Sequence, residues 1–323
     1  MMASTADVPI TQVHRETPWS VGVAAAAMVA FLAVAPFVLY PVFLMKALCF
    51  ALFACAFNLL IGYVGLVSFG HALYFGWAGY LCAYAAKVWG LPPELAIVIG
   101  TATAAVLGVI AGLIAIRRQG IYFAMITLAL AQMMYLVALR VKMTGGEDGI
   151  QAVPRGHLFG VFDLNDEMTM YVVVLIVVLA AFFLIYRIVN SPFGEVLKAI
   201  RENEQRAISL GYQTDRYKLV AFVLSATLSG LAGSLKALVF QLASLTDVHW
   251  NMSGEVVLIT LVGGLGTLFG PFVGAFLIIA MENYLAPFGQ WVLVIQGAIF
   301  VICVLVFRRG IVGELANWLR IKL

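Results

Sequence analysis

The sequence predicts an all-α, polytopic transmembrane helical bundle of about ten spans, some of them broken, with both termini cytoplasmic. Three observations lead there. Of 323 residues, 63% are hydrophobic and 11% charged. A soluble chain carries roughly 25% charged residues, so this one cannot cover a water-facing surface. Apolar runs of about 20 residues, enough for about 30 Å of hydrocarbon, recur along it. Those runs, such as 171–186, are continuous rather than alternating. Backbone in lipid must be satisfied internally, and a barrel would alternate apolar and polar residues, so helices are selected.

The elements follow in chain order. Residues 1–20 read as a cytoplasmic N-terminal segment and 21–310 as the transmembrane domain. The apolar run 21–40 is longer than the hydrophobic region of a signal peptide and reads as a retained first helix. Further spans are expected at 43–62, 66–87, 95–116, 121–140, 168–187, 218–240 and 290–307. Basic anchors at Arg117 and Arg118, from Arg187 through Lys218, and at Arg308, Arg309, Arg320 and Lys322 mark cytoplasmic ends. The acidic loop 141–167 is placed in the periplasm, as are Asp247 and Glu255, which have no basic neighbour in sequence. Between two cytoplasmic anchors the number of crossings is even. The stretch 256–285 must therefore cross twice or not at all. Gly263, Gly264, Gly266, Gly270 and Pro271 interrupt it, and two short broken helices or a re-entrant pair both fit. Residues 311–323 read as a cytoplasmic tail.

Several function classes fall away. The net charge of +3 is small, which argues against a nucleic-acid partner. Cys49, Cys55, Cys82 and Cys303 lie in apolar runs without metal spacing or a disulfide framework. His14, His71, His157 and His249 are scattered, and no phosphate-binding loop appears. No catalytic residues, metal or cofactor are expected on the chain, which leaves transport, channel or scaffold work. A self-sufficient secondary transporter would place paired ionisable groups in its spans. Here Lys46, Lys87, Glu94, Arg140 and Lys236 lie near span ends, where they can snorkel, and Glu282 is the one acid placed deep.

Three stretches stand out. In 58–80, Gly62, Gly65, Gly70, Gly76 and Gly79 alternate with Asn58, Ser68 and His71. Such a stretch either unwinds at mid-membrane to offer polar groups to a solute, or packs closely against neighbours. Thr127, Gln132 and Thr260 are polar residues inside apolar runs. With Asn58, Ser68 and His71 they form the candidate pathway, or they hydrogen-bond between helices. In 263–274, Gly266, Gly270 and Gly274 have GxxxGxxxG spacing, which favours close helix contact. Gly62, Gly65 and Gly70 join them as candidate packing positions, and Gly108 and Gly112 repeat the spacing elsewhere.

The third stretch, 190–215, is polar. Ser191 is a natural N-cap and Pro192 suits the first helical position. Val196, Leu197, Ala199 and Ile200 then form an apolar stripe. A second short helix is expected from Asn203 to Gly211, with Ala207, Ile208 and Leu210 on its apolar side and Glu202–Arg206 as a supporting i, i+4 pair. A membrane-surface helix is one reading. Glu195, Glu202 and Glu204 would be repelled by an anionic leaflet, so a docking surface for a cytoplasmic partner fits better.

These stretches carry a resemblance. NLLIGYVGLVSFGHALYFGWAGY (58–80), GIYFAMITLALAQ (120–132), TGGEDGI (144–150), SPFGEVLKAIRENEQRAISLGY (191–212), KLVAFVLSATLSGLAGSL (218–235) and GGLGTLFGP (263–271) look like the membrane subunit of bacterial branched-chain amino acid ABC importers, the LivM-type permease in particular. The resemblance covers about residues 40–312. It implies residence in the inner membrane beside a homologous LivH-type permease. It also implies two cytoplasmic ATPase subunits that hold ATP and magnesium, and a periplasmic substrate-binding protein. Loop 190–215 matches the family's coupling loop, which assigns ATPase coupling to Ser191, Pro192, Gly194, Ala199, Ile200, Arg201, Glu202, Asn203, Glu204, Ala207 and Gly211. Relatives are implied to serve leucine, isoleucine and valine, or urea, short amides and aromatic acids. Two departures are visible. Glu195 stands where many relatives carry a basic residue, and Trp77 where small residues are usual.

Overall fold

A computed structural model describes residues 18–285, 287, 289, 291–306 and 310–318. Expectations placed on residues 1–17, on Arg308, Arg309, Arg320 and Lys322, and on the end of the tail lie outside these. The helices are α1 (Pro18–Val34), α2 (Pro41–Tyr63), α3 (His71–Lys87), α4 (Pro93–Ala115), α5 (Ile121–Arg140), α6 (Glu167–Val189), α7 (Pro192–Glu202), α8 (Glu204–Ser209), α9 (Thr214–Phe240), α10 (Trp250–Gly263), α11 (Gly270–Leu285), α12 (Trp291–Val306) and α13 (Gly310–Trp318). Of these, α2, α4, α5, α6 and α9 are long and apolar enough to cross a membrane. The chain is an all-α, multi-pass helical protein.

Helix α2 is the shaft of the bundle. It is buried on nearly every side and packs against α6, α9, α10 and α11. A second seam joins α3, α4 and α9, and small residues make it close. A Cβ on Gly108 would lie 2.7 Å from the Ala226 methyl, and one on Gly100 only 2.5 Å from the Ala78 carbonyl. With little hydrophobic drive between helices in lipid, such close packing is what holds them together. The opposite faces of α4 and α6 expose Leu95, Val98, Val106, Val172 and Ile176.

The structure departs from the sequence expectations in several places. The first helix stops at Val34, and a 3-10 turn at Ala35–Phe37 follows, with Pro36 at its start. The span expected from residue 66 begins at His71, because 64–70 is not helical. The stretch 256–285 is a helical hairpin that starts earlier, at Trp250. Gly263 and Gly274 meet backbone to backbone across it. Helices of 14 and 16 residues give arms of about 21 and 24 Å. Four two-residue strands were not foreseen: β1 (Ile150–Gln151) pairs antiparallel with β4 (Leu242–Ala243), and β2 (His157–Leu158) with β3 (Phe162–Asp163). Both pairs sit at the end of the bundle away from α7 and α8.

Three of the charges near span ends, Lys46, Lys87 and Lys236, have partners, whereas one buried carboxylate oxygen of Glu94 has none among the described residues. Lys46 pairs with Glu282 at 2.8 Å, and Lys236 with Asp247 at 2.6 Å, the latter nearly buried. Asp247 thus has a basic partner eleven residues back, which local charge counting overlooks. Lys87 donates to the Gln151 carbonyl at 2.6 Å. The Arg155 guanidinium donates to the Leu238 and Val239 carbonyls at 3.3 and 2.6 Å, satisfying acceptors that the end of α9 leaves open.

Candidate functional site

The site begins where α2 stops. Gly65 takes a φ of +83°, a left-handed turn that side chains disfavour, and the chain runs non-helically to Gly70 before α3 starts inside the bundle. A helix start leaves amides without partners, and here one local side chain and two from distant elements supply them. The Phe69 amide donates to Thr127 Oγ1 at 3.2 Å, the Gly70 amide to Ser68 Oγ at 3.3 Å, and the Ala72 amide to Ser253 Oγ at 2.9 Å. Gly70 sits so close to α5 that a Cβ would lie 2.8 Å from the Thr127 carbonyl.

His71 is fully buried. Ser225 Oγ donates to the Ala56 carbonyl at 2.5 Å and lies 2.8 Å from His71 Nε2. Nδ1 is likewise buried, with the Ser68 backbone beside the ring.

On its other side the break opens into a cavity of about 360 Å³, lined by Gly65, Leu66, Val67, Gly120, Ile121 and Ala124. Val67 makes no backbone hydrogen bond among the described residues. Irregular backbone at membrane depth is tolerated where it lines a cavity or is buried in protein. Leu128 and half-buried Gln132 continue the same face of α5, and Gln132 has no hydrogen-bond partner among the described residues.

The remaining polar candidates lie elsewhere. Asn58 spends both ends of its amide on the α10–α11 turn, donating to the Thr267 carbonyl at 2.8 Å and accepting from the Gly266 amide at 2.9 Å. Thr260 bonds back to the Val256 carbonyl at 2.7 Å, within its own helix. Trp77 is buried and donates to the Met134 carbonyl at 3.2 Å, tying α3 to α5. The GxxxGxxxG reading needs correction. Gly266 is not helical; its φ of +74° makes the turn. Gly270 and Gly274 pack the two arms of the hairpin together. Gly65 likewise belongs to a break and not to a helix–helix face.

The α7–α8 pair meets this region from one end. Ser191 caps α7 by accepting from the Gly194 amide at 3.3 Å, Pro192 is the first helical residue, Asn203 caps α8, and Gly211 follows its end with φ +90°. Gly194 packs on α6, where a Cβ would lie 2.2 Å from the Val189 carbonyl. Leu197, Ile200 and Ala207 are buried, whereas Ala199 faces outward, so the expected stripe is narrower. Glu202 and Arg206 do not pair. Asn203 has extended backbone and breaks the helix between them, so i, i+4 spacing no longer brings them together. Glu195 pairs instead with Lys198 at 2.9 Å.

Two charges join this pair to the body. Arg201 donates from Nη1 to the Gly62 carbonyl at the end of α2. Its side chain also abuts Gly65 and Gly266, so it plugs the junction of the broken segment and the α10–α11 turn. A cation there also matches the negative end of the α2 dipole. Glu204 accepts from Lys218, whose side chain is only 2% exposed, from Thr214 Oγ1 at 3.2 Å and from Gln119 Nε2 at 2.8 Å. Gln119, Ser225 and Ser253 escaped the sequence reading, and Lys218 entered it only as a basic anchor, because their partners are distant in the chain.

Comparison with known proteins gives the family. A family model described as the branched-chain amino acid transport system / permease component matches residues 39–304. The chain is 26% identical over 288 residues to the high-affinity branched-chain amino acid transport permease LivM of Escherichia coli, covering 82% of this chain and 68% of that protein. It is 28% identical over 164 residues to a probable branched-chain amino acid permease LivH of Methanocaldococcus jannaschii, covering 46% and 48%. It is 29% identical over 173 residues to the ribose import permease RbsC of Bacillus subtilis, covering 51% of each. No solved structure matches the chain.

Proposed function

This chain belongs to the permease-component family of branched-chain amino acid transport systems, and on that premise we propose that it is one membrane half of an ATP-driven importer for branched-chain amino acids or a related small polar solute. It is a transporter subunit and not an enzyme. In this reading it sits in a bacterial inner membrane beside a LivH-type permease. Two cytoplasmic ATPases hold ATP and magnesium, and a periplasmic binding protein delivers the solute. The ten helices of fourteen or more residues each count as one crossing, α10 and α11 included, and both termini are cytoplasmic.

The observation that carries the reading is the Arg201 junction. A docking element whose outward face offers Glu195, Ala199, Glu202, Ile208 and Leu210 is tied by one side chain to α2, to the break at Gly65 and to the turn at Gly266. Closure of an ATPase dimer against that face would displace these ends together and re-pack the helices between inward- and outward-facing states. The cavity beside Gly65–Val67 and the α5 face running to Gln132 are the proposed path, with Ser68, Thr127 and His71 holding its shape.

The test is uptake in proteoliposomes. Uptake is expected only with the partner permease, the ATPases, the binding protein and internal ATP. Uptake by this chain alone on an ion gradient would overturn the reading. Ligand binding to the partner binding protein identifies the solute.

A further inference from the structure

The β2–β3 hairpin carries an apolar tip that nothing among the described residues covers. Phe159 is 71% exposed, Val161 75% and Phe162 56%. Phe159 and Gly160 both have positive φ, +51° and +71°, so the turn holds a large aromatic where glycine or asparagine is ordinary. The base, by contrast, is fixed. Leu158 pairs with Phe162 and His157 with Asp163. The Leu164 amide donates to the Gly156 carbonyl at 3.1 Å, and Leu164 is buried. Gly156 rests on Pro93 at the first turn of α4, and α6 starts just beyond, capped by Asp166.

The tip therefore stands at the ends of α4 and α6, beside their exposed apolar faces. Both helices are membrane-length and mostly unburied within the chain. Their outward residues Leu95, Val98, Val172 and Ile176 are apolar and exposed, as contact with lipid requires. Trp89, also exposed, lies at the same level before α4, and aromatic residues gather at membrane–water boundaries. Acidic residues mark the watery side of the hairpin. The Asn165 amide holds the Asp163 carboxyl below the usual carboxylate range, and the Thr169 hydroxyl and amide do the same for Asp166.

We propose that the 157–163 hairpin is an interfacial anchor whose tip, Phe159, Val161 and Phe162, inserts into the lipid boundary of the leaflet remote from α7 and α8. It fixes the ends of α4 and α6 against the bilayer while the opposite ends of the bundle move.

Site-directed spin labelling of the full chain, in its complex in phosphatidylethanolamine–phosphatidylglycerol vesicles, tests this. The background is Cys303→Ala, since Cys49, Cys55 and Cys82 are buried. Nitroxides go separately on Phe159→Cys and Val161→Cys, with exposed Asp148→Cys as the aqueous reference. Two tip positions guard against one variant failing to fold. Oxygen collisions are expected to exceed nickel-chelate collisions at the tip and to fall below them at residue 148. Tip labels that meet the nickel chelate as freely as the label at 148 would overturn the proposal. So would tip labels that become shielded only when the binding protein is added, which would make the tip a protein dock.

Discussion

At the scale of single residues, the proposed coupling runs through two side chains that tie α7 and α8 to the body, Arg201 and Glu204. Lys218 is almost fully buried and its countercharge is Glu204. Removing one member of a buried pair costs about 3–5 kcal/mol, whereas replacing both with apolar residues is often neutral. Glu204→Lys is therefore expected to lower the thermal unfolding temperature and to separate ATP hydrolysis from uptake. Glu204→Leu with Lys218→Leu should recover most of the stability. A double variant as unstable as the single would show that the pair itself does not matter. Arg201→Glu removes a charge-assisted hydrogen bond of about 1.5–3 kcal/mol, a factor of about ten or more. Uptake should fall by that factor while the ATPase subunits continue to hydrolyse ATP. Unchanged uptake would remove Arg201 from the coupling route. The caps at Ser191 and Asn203 were legible in sequence, because a cap and the amide it serves are three residues apart. The bonds of His71 to Ser225 and of Ala72 to Ser253 were not, because their members are 154 and 181 residues apart.

At the scale of elements, the sequence announced a break within 263–271 and left 58–80 open between unwinding and close packing, because it did not distinguish a glycine that packs from one that turns. Periodic glycine spacing looks the same whether or not the helix runs through it. Gly266 needs a left-handed backbone, which costs other residues roughly 1–2 kcal/mol, and its neighbours are Arg201 and the Gly62 carbonyl. Gly266→Leu and Gly70→Leu are each expected to block assembly or uptake, and normal uptake by both would dismiss the close-packing account. Two alanine variants of the hairpin make the steric argument separately. A Cβ on Gly274 would lie 2.1 Å from the Ile259 carbonyl, whereas one on Gly254 meets nothing within 4 Å. Gly274→Ala should destabilise the detergent-solubilised complex, and Gly254→Ala should leave it unchanged or gain about 0.5–1 kcal/mol of helix preference. Equal unfolding temperatures for the two would contradict the packing seen between α10 and α11.

At the scale of the whole molecule, charge content and hydropathy reached the all-α, multi-pass class because both are properties of composition along the chain. They misjudged the far end of the bundle, since ion pairs there join elements that local charge counting treats as separate. Two such pairs staple that end, and burial ranks them. Lys46 and Glu282 are 32% and 26% exposed, which puts their pair nearer the surface value of about 0–1 kcal/mol. Lys236 and Asp247 are 12% and 8% exposed, and breaking such a pair belongs to the buried class of about 3–5 kcal/mol. Asp247 also accepts from the Ser244 amide and so organises the loop between α9 and α10, against which Gly76 of α3 packs. Asp247→Asn should therefore lower the unfolding temperature far more than Glu282→Gln. The swap Lys236→Asp with Asp247→Lys should recover only part of the loss, because a lysine at 247 cannot accept from Ser244. Equal losses for the two single variants would mean that solvent screens both pairs alike, and the far end would then be held by its apolar contacts instead.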